Sequence, residues 1–193
     1  MVRLYAKTTE DVSGFDPVLD RIRKENEEVT VTVEAKRAFW FYEELKKKTK
    51  AEDIFIVLSQ GSLGLNEADI ANELEFFIEH DFLLVICDVP STYEYGVREP
   101  MNKAVLSTLL SAILNENRNV VQLPKRSNSG RNKIKFPDGW DELYKQWEEK
   151  TITSAEFYEK AGLKKATFYN MVTEYRVLKK QQEELAKKYK MAK

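Results

Sequence analysis

Residues 53–89 read DIFIVLSQGSLGLNEADIANELEFFIEHDFLLVICDV, and the apolar runs at the two ends of this stretch decide the fold. The first, DIFIVLS at 53–59, has the length and the β-branched and aromatic content of a buried strand. Asn66 stands three residues before Asp69, the spacing of a helix N-cap, and the helix it opens ends near His80. FLLVICDV, residues 82–89, is the next strand. Strands alternating with helices in this way form a parallel sheet, whose sites collect in the loops after the strand C-termini.

The pattern extends in both directions. Upstream, Val2–Lys7 and Val29–Val33 read as short strands, and between them FDPVLDRIRKENEE is a helix with Asp16 as N-cap and Pro17 at its first position. AFWFYEELKKKT supplies another helix, whose aromatic residues Phe39, Trp40, Phe41 and Tyr42 face the core. The fold class is therefore α/β, a mostly parallel sheet flanked by helices, with candidate loops at 7–14, 59–66 and 90–100. Downstream, Val105, Leu106, Leu109, Leu110, Ile113 and Leu114 recur at four-residue intervals and make one broad apolar stripe on a helix over about 101–120. Such a stripe needs a partner, either the chain's own sheet or a second subunit.

Charge divides the chain at Pro124. Residues 1–124 carry 14 Lys and Arg against 22 Asp and Glu, whereas residues 125–193 carry 17 against 10, so a net charge of -1 hides halves of -8 and +7. A basic C-terminal third suits a polyanionic partner, because neutralised phosphates release counterions. The bland reading is a lysine-rich solvated helix, and for the last stretch, LKKQQEELAKKYKMAK, the two readings stand level. No run approaches the roughly 18 apolar residues of a membrane span, and MVRLYAKTTED lacks a signal-type apolar region, so a cytoplasmic, nucleoid-associated protein with no membrane partner is expected. The single cysteine, Cys87, excludes an intrachain disulfide and a cysteine zinc site and reads as core. No metal and no cofactor are expected: His80 reads as a helix-terminal cation, and Gly61 and Gly64 lack the lysine and spacing of a phosphate-binding P-loop.

The segment QLPKRSNSGRNKIKFPDG reads as a basic linker over 121–136. Residues 137–193 then form three short helices and a basic helical tail. Asp138 caps the first helix, where Trp140, Leu143, Tyr144 and Trp147 share a face; Thr153 and Glu156 form a capping box for the second; Gly162 breaks the chain before the third. Phe157, Leu163, Phe168 and Met171 occupy the positions that fix two helices around a glycine turn. That leaves Lys164, Lys165, Thr167, Tyr169, Asn170, Thr173 and Arg176 polar and available to a major groove, as in a helix-turn-helix.

The stretch from GRNKIKFPDGW to TFYNMVTEYR resembles the tail of the serine recombinases, the resolvase and invertase family, in which a Gly-Arg linker precedes a helix-turn-helix. LYAKTTED is similar to the family's first strand and nucleophile loop, SQGSLGLN stands where Asp-Arg-Leu-Gly-Arg-Asn is usual, and ICDVP with the helix ending NENR matches a later strand and the oligomerisation helix. The resemblance implies a catalytic-type domain over 1–120 whose helix 101–120 carries a homodimer seam, with pairing into tetramers or assembly with an active recombinase of a mobile element. It also implies double-stranded DNA as partner, with Arg126, Arg131 and Lys133 joining the polar helix face and Arg131 reaching the minor groove.

The departures fall on chemistry. The serine position holds Thr9, the preceding arginine position Lys7, the Asp-Arg pair Gly61 and Ser62, and the next arginine Leu65; Arg118 is retained. Phosphoryl transfer requires several guanidiniums around the developing charge, so the set predicts a DNA-binding protein without catalysis, acting in regulation or assembly of recombination complexes. The alternative is an active recombinase in which Thr9, Thr8 or Ser13 attacks the phosphate and Lys7, Lys36, Arg37, Arg98 or Arg118 supplies charge. A pure protein-interaction module leaves the basic helix-turn-helix unexplained.

Overall fold

The computed structural model describes the backbone of residues 1–24, 27–119 and 135–190, and the side chains of these except 116–119 and 190. Four strands, β1 (Val2–Lys7), β2 (Val29–Glu34), β3 (Ile54–Val57) and β4 (Leu83–Ile86), form one all-parallel sheet in the order β2-β1-β3-β4. Leu4 pairs with Val31 on one side and Ile56 on the other, and Ile56 with Val85. The helices are α1 (Phe15–Ile22), α2 (Trp40–Lys48), α3 (Glu67–Glu79) and α4 (Glu99–Asn119). No helix among the described residues is long and apolar enough to cross a membrane.

One sheet face is closed by an aromatic chain. Tyr5, Tyr42, Phe55 and Phe77 lie with successive ring centroids 5.0, 5.7 and 5.3 Å apart, and Leu45, Leu74 and Leu106 complete the cluster from α2, α3 and α4. Strand alternation sends Leu4 and Ile56 to the opposite face, and α1 buries Phe15, Val18 and Leu19. α3 starts where expected, Asn66 accepting from the Asp69 N–H at 2.9 Å. α1 differs from expectation. It begins at Phe15 behind Gly14, with Asp16 in its first turn rather than at the cap, because Asp11 instead caps the short 3-10 turn ahead of it; the helix also stops at Ile22.

The stripe on α4 is turned largely inward. Leu106 is fully buried, Leu109, Leu110 and Ile113 pack on the aromatic cluster, Val105 is half-buried, and Leu114 remains 47% exposed. α4 also closes the β4 edge. Asn102 accepts from the Leu84 N–H at 3.1 Å and donates to the Leu84 carbonyl at 2.8 Å, while the Thr92 hydroxyl serves the Ile86 N–H at 3.1 Å.

The chain divides into two units: Met1–Gly130 with Gln181–Lys193, and Arg131–Lys180. The second holds α5 (Trp140–Glu148), α6 (Ser154–Lys160) and the first part of α7 (Lys165–Lys190). Its core is Trp140, Tyr144, Phe157, Phe168, Met171 and Val172. Phe136 packs 5.3 Å from Trp140 and 5.5 Å from Tyr175, so the sequence-derived linker boundary at 136 falls inside this core. The α5 cap is Gly139, not Asp138, and no side chain bonds there. Thr153 and Glu156 make their capping box.

The C-terminal tail departs most from the sequence reading. Residues 181–193, grouped above with the three helices as a basic tail, belong with the α/β unit. Leu185 and Tyr189 are buried, and Gln182 bonds the backbone of β2: its carbonyl oxygen accepts from the Val33 N–H at 2.8 Å, and its amide donates to the Val31 carbonyl. The spacing of apolar and amide residues on the helix, rather than its lysines, determines where it packs.

Candidate functional site

The loops after β1, β3 and β4 gather at the carboxyl end of the sheet. Lys7, the last residue of β1, turns its side chain inward, where only 4% of it is exposed. Its ammonium donates to the Tyr5 hydroxyl and the Ala38 carbonyl, lies 3.9 Å from Glu34 Oε2 and sits 3.4 Å from the Phe39 ring centroid. Burial of a cation is tolerable only with such partners. The charge of Lys7 is consumed within the domain and is not turned toward an incoming phosphate.

Glu34 ends β2 and holds the same cage from the other side. Its Oε2 accepts from the Tyr5 hydroxyl at 2.7 Å and the Tyr42 N–H at 3.2 Å, and its Oε1 from the Phe41 N–H at 3.0 Å. α2 has no side-chain cap at Phe39, so Glu34 supplies the negative charge that its N-terminus favours. Burial, followed by the charge of Glu34, pushes the Tyr5 hydroxyl far above its ordinary value.

A second carboxylate occupies the junction of the loops. Glu10 Oε2 accepts from the Lys7 N–H at 2.6 Å, while Oε1 accepts from the Ser62 hydroxyl and lies 3.5 Å from Ser59 Oγ. Ser59 and Ser62 also cap each other around a short 3-10 turn, with the Ser59 N–H donating to Ser62 Oγ at 3.2 Å. Partial burial and then the charge of Glu10 hold the Asp88 carboxyl above the usual carboxylate range. The Cys87 thiol is pushed up to about 12, first by burial and then by the charge of Asp88.

The residues singled out in the sequence take different places around this junction. Thr9 is exposed beside Glu10; Gly61 is exposed; Ser62 is fully buried; Leu65 is 45% exposed. Lys36, Arg37 and Arg98 are exposed. Arg118 lies on α4, and its side chain is outside the described residues. Gly64 is fixed by close approach: a Cβ there would come within 2.6 Å of Asp69 Cβ and 2.9 Å of the Ile70 nitrogen, so the loop is pressed against the start of α3. Glu10 and Glu34 were missed in the sequence; for Glu34 the available signal was an acidic strand end a few residues before a helix start without a capping side chain.

The junction therefore presents carboxylates where a phosphodiester would need cations. Among the described residues no group of three or more His, Cys, Asp and Glu is disposed to hold a metal ion. His80 is exposed, stacked 4.3 Å from the Phe76 ring with Nδ1 2.8 Å from the Phe76 carbonyl. One consequence is measurable at Cys87. A rise from the usual 9.0 to about 12 cuts the thiolate fraction at pH 8 on the order of a thousandfold, so iodoacetamide should label the folded protein far more slowly than the urea-unfolded chain. Equal labelling rates would contradict this environment.

In the second unit, Gly162 takes φ +64° in the turn between α6 and α7, a conformation suited to glycine. Beyond it Lys164, Lys165, Tyr169, Asn170 and Thr173 are exposed and Thr167 is half-buried. Arg176 is exposed as well, with its Nε 3.2 Å from the Tyr144 hydroxyl and its guanidinium 5.2 Å from the Trp147 ring centroid. Arg126, Arg131 and Lys133 lie outside the described residues. Residues 135–180 hold nine basic and eight acidic side chains, so most of the +7 of the C-terminal third resides in the preceding segment and the tail. No protein-family model and no curated protein matches the chain.

Proposed function

We propose that the protein binds duplex DNA through α6 and α7 acting as a helix-turn-helix, and that its α/β unit, resembling the serine recombinases, does not carry out strand exchange. The observation that carries the binding reading is the polar face after the Gly162 turn. Lys164 and Lys165 stand at the start of α7 with Tyr169, Asn170 and Thr173 behind them, the arrangement that brings a helix N-terminus to base edges with flanking cations on phosphates. The silent-domain reading is supported by the internal pairing of Lys7 and by the carboxylate of Glu10 bonded to Ser59 and Ser62. In this reading the protein acts in regulation or assembly of recombination complexes, with a dimer through the outer end of α4 near Leu114. The alternative, an active recombinase, rests on the exposed Thr9 hydroxyl.

Both halves are tested on full-length protein with DNA from the gene's own surroundings. Asn170→Ala should change sequence preference, because a side-chain amide reads adenine, whereas Lys165→Gln should weaken all sequences alike and lower the salt slope by about one. Equal effects of the two substitutions would remove the assignment. No covalent protein–DNA adduct should form; an adduct that disappears in Thr9→Ala would make the active recombinase the correct reading.

A further inference from the structure

Both edges of the sheet are closed by side-chain carboxamides, and the two closures differ in origin. On β4, Asn102 bonds the N–H and the carbonyl of one residue, Leu84, as an antiparallel neighbour would, and it lies 18 residues away in sequence on the helix that follows the strand. On β2, Gln182 bridges the Val31 carbonyl and the Val33 N–H. Those are the two groups that one residue of a parallel neighbour would engage opposite Thr32. The Gln182 carboxamide thus stands in for a missing strand. It arrives from the far end of the sequence, on a helix whose first part, Lys165–Lys180, belongs to the other unit.

What lies beneath this cap is the most strand-prone stretch of the chain. β2 is VTVTVE, five successive β-branched residues with no charge before Glu34. The carbonyls of Glu28 and Glu34 accept from the Val2 and Thr8 N–H groups, so even-numbered residues face β1, and Val29, Val31 and Val33 present their backbone groups outward. Such an edge is a template for another strand. The tail is held beside it by the buried side chains of Leu185 and Tyr189 and by polar contacts nearer the surface. The Lys188 to Asp16 pair, 2.7 Å apart, leaves both side chains nearly half exposed and contributes little. Tyr189 Oη lies 3.1 Å from the Val12 carbonyl and 2.9 Å from Asp16 Oδ1, and its ring meets Phe15 edge-on at 6.2 Å. Gln181 donates to the Thr8 carbonyl at 3.4 Å, and its own side-chain oxygen is buried without a partner.

We propose that the C-terminal end of α7 is a releasable cap on β2, and that its release lets a second copy of the chain pair along the same edge. Two β2 edges related by a two-fold axis at Val31 are self-complementary. Val31 exchanges hydrogen bonds with its counterpart, and Val29 with Val33 of the other copy, in an antiparallel ladder that extends both sheets. The surface is thus an interface held closed by the chain's own helix.

The test uses full-length protein carrying Gln182→Ala, and separately Leu185→Asp to unseat the tail. Hydrogen exchange at the Val33 amide should accelerate about tenfold or more in dilute solution in both variants. Sedimentation at rising micromolar concentration should then show a mass above that of the wild type at the same concentration, with protection returning at Val33 and extending to Val29 and Val31. Unchanged Val33 exchange in Gln182→Ala would mean that the cap is not seated. A variant with fast Val33 exchange that keeps the wild-type mass, or one that associates further without renewed protection on β2, would overturn the proposal equally. Circular dichroism on both variants separates these outcomes from unfolding, and Gln182→Glu, which keeps the acceptor for Val33 but loses the donor to Val31, should fall between wild type and Gln182→Ala.

Discussion

Alanine in place of Glu34 should destabilise the α/β unit by about 3–5 kcal/mol, the range for removing one partner of a buried ion pair. The carboxylate is 1% exposed and has four partners: the Tyr5 hydroxyl, the Phe41 and Tyr42 N–H groups and the Lys7 ammonium. Removing it leaves a buried cation beside Phe39 and strips α2 of its only described capping group. Lys7→Met should cost less, because Glu34 would keep its hydroxyl and two backbone donors. Against a typical total of about 5–15 kcal/mol, the larger loss is severe. Urea unfolding followed by circular dichroism reads it as a lowered midpoint, and a loss below about 1 kcal/mol would mean that the cage is not formed.

Elements whose signal is local were legible in the sequence. DIFIVLS and FLLVICDV became β3 and β4 because short apolar runs buried on both faces admit little else, and the Asn66 and Thr153 caps act within three residues. Gly162 was legible for the same reason. What depends on distant register was not. Glu34 meets Lys7 only because β2 lies parallel to β1 with these two residues paired, and Glu10 meets Ser62 only because β1 and β3 are neighbours. The tail shows a third kind of failure. Leu178, Gln182, Leu185 and Tyr189 fall on one helical face, so the stripe was present, but the six lysines from Lys179 to Lys193 directed attention to charge. Where the backbone of β2 offers unpaired donors and acceptors, one glutamine on that stripe decides more than the lysines around it.

Phe168→Ala should unfold the three-helix unit while sparing the sheet. Phe168 is fully buried, with ring centroids 4.8 Å from Phe157, 6.0 Å from Trp147 and 6.2 Å from Trp140, so truncation opens the centre of the aromatic cluster. Phenylalanine-to-alanine changes in cores cost about 3–5 kcal/mol, and a unit of some fifty residues rarely has that much to lose. The rings around it are rigid, so refilling the space would fall to the few aliphatic side chains of this core, such as Met171 and Val172. The tryptophans separate the two units in the readout: Trp140 and Trp147 lie in the three-helix unit and Trp40 in the other, so the emission should shift red by the share of the first two. Exchange at Leu4 and Ile56, in the middle of the sheet, should stay slow. Under the proposed DNA-binding function, affinity should fall to what the basic segment around Arg126 and Arg131 supplies by charge alone, with the sequence preference gone. Retained sequence preference in a protein whose Trp140 and Trp147 have become solvent-exposed would place the DNA contact outside α6 and α7.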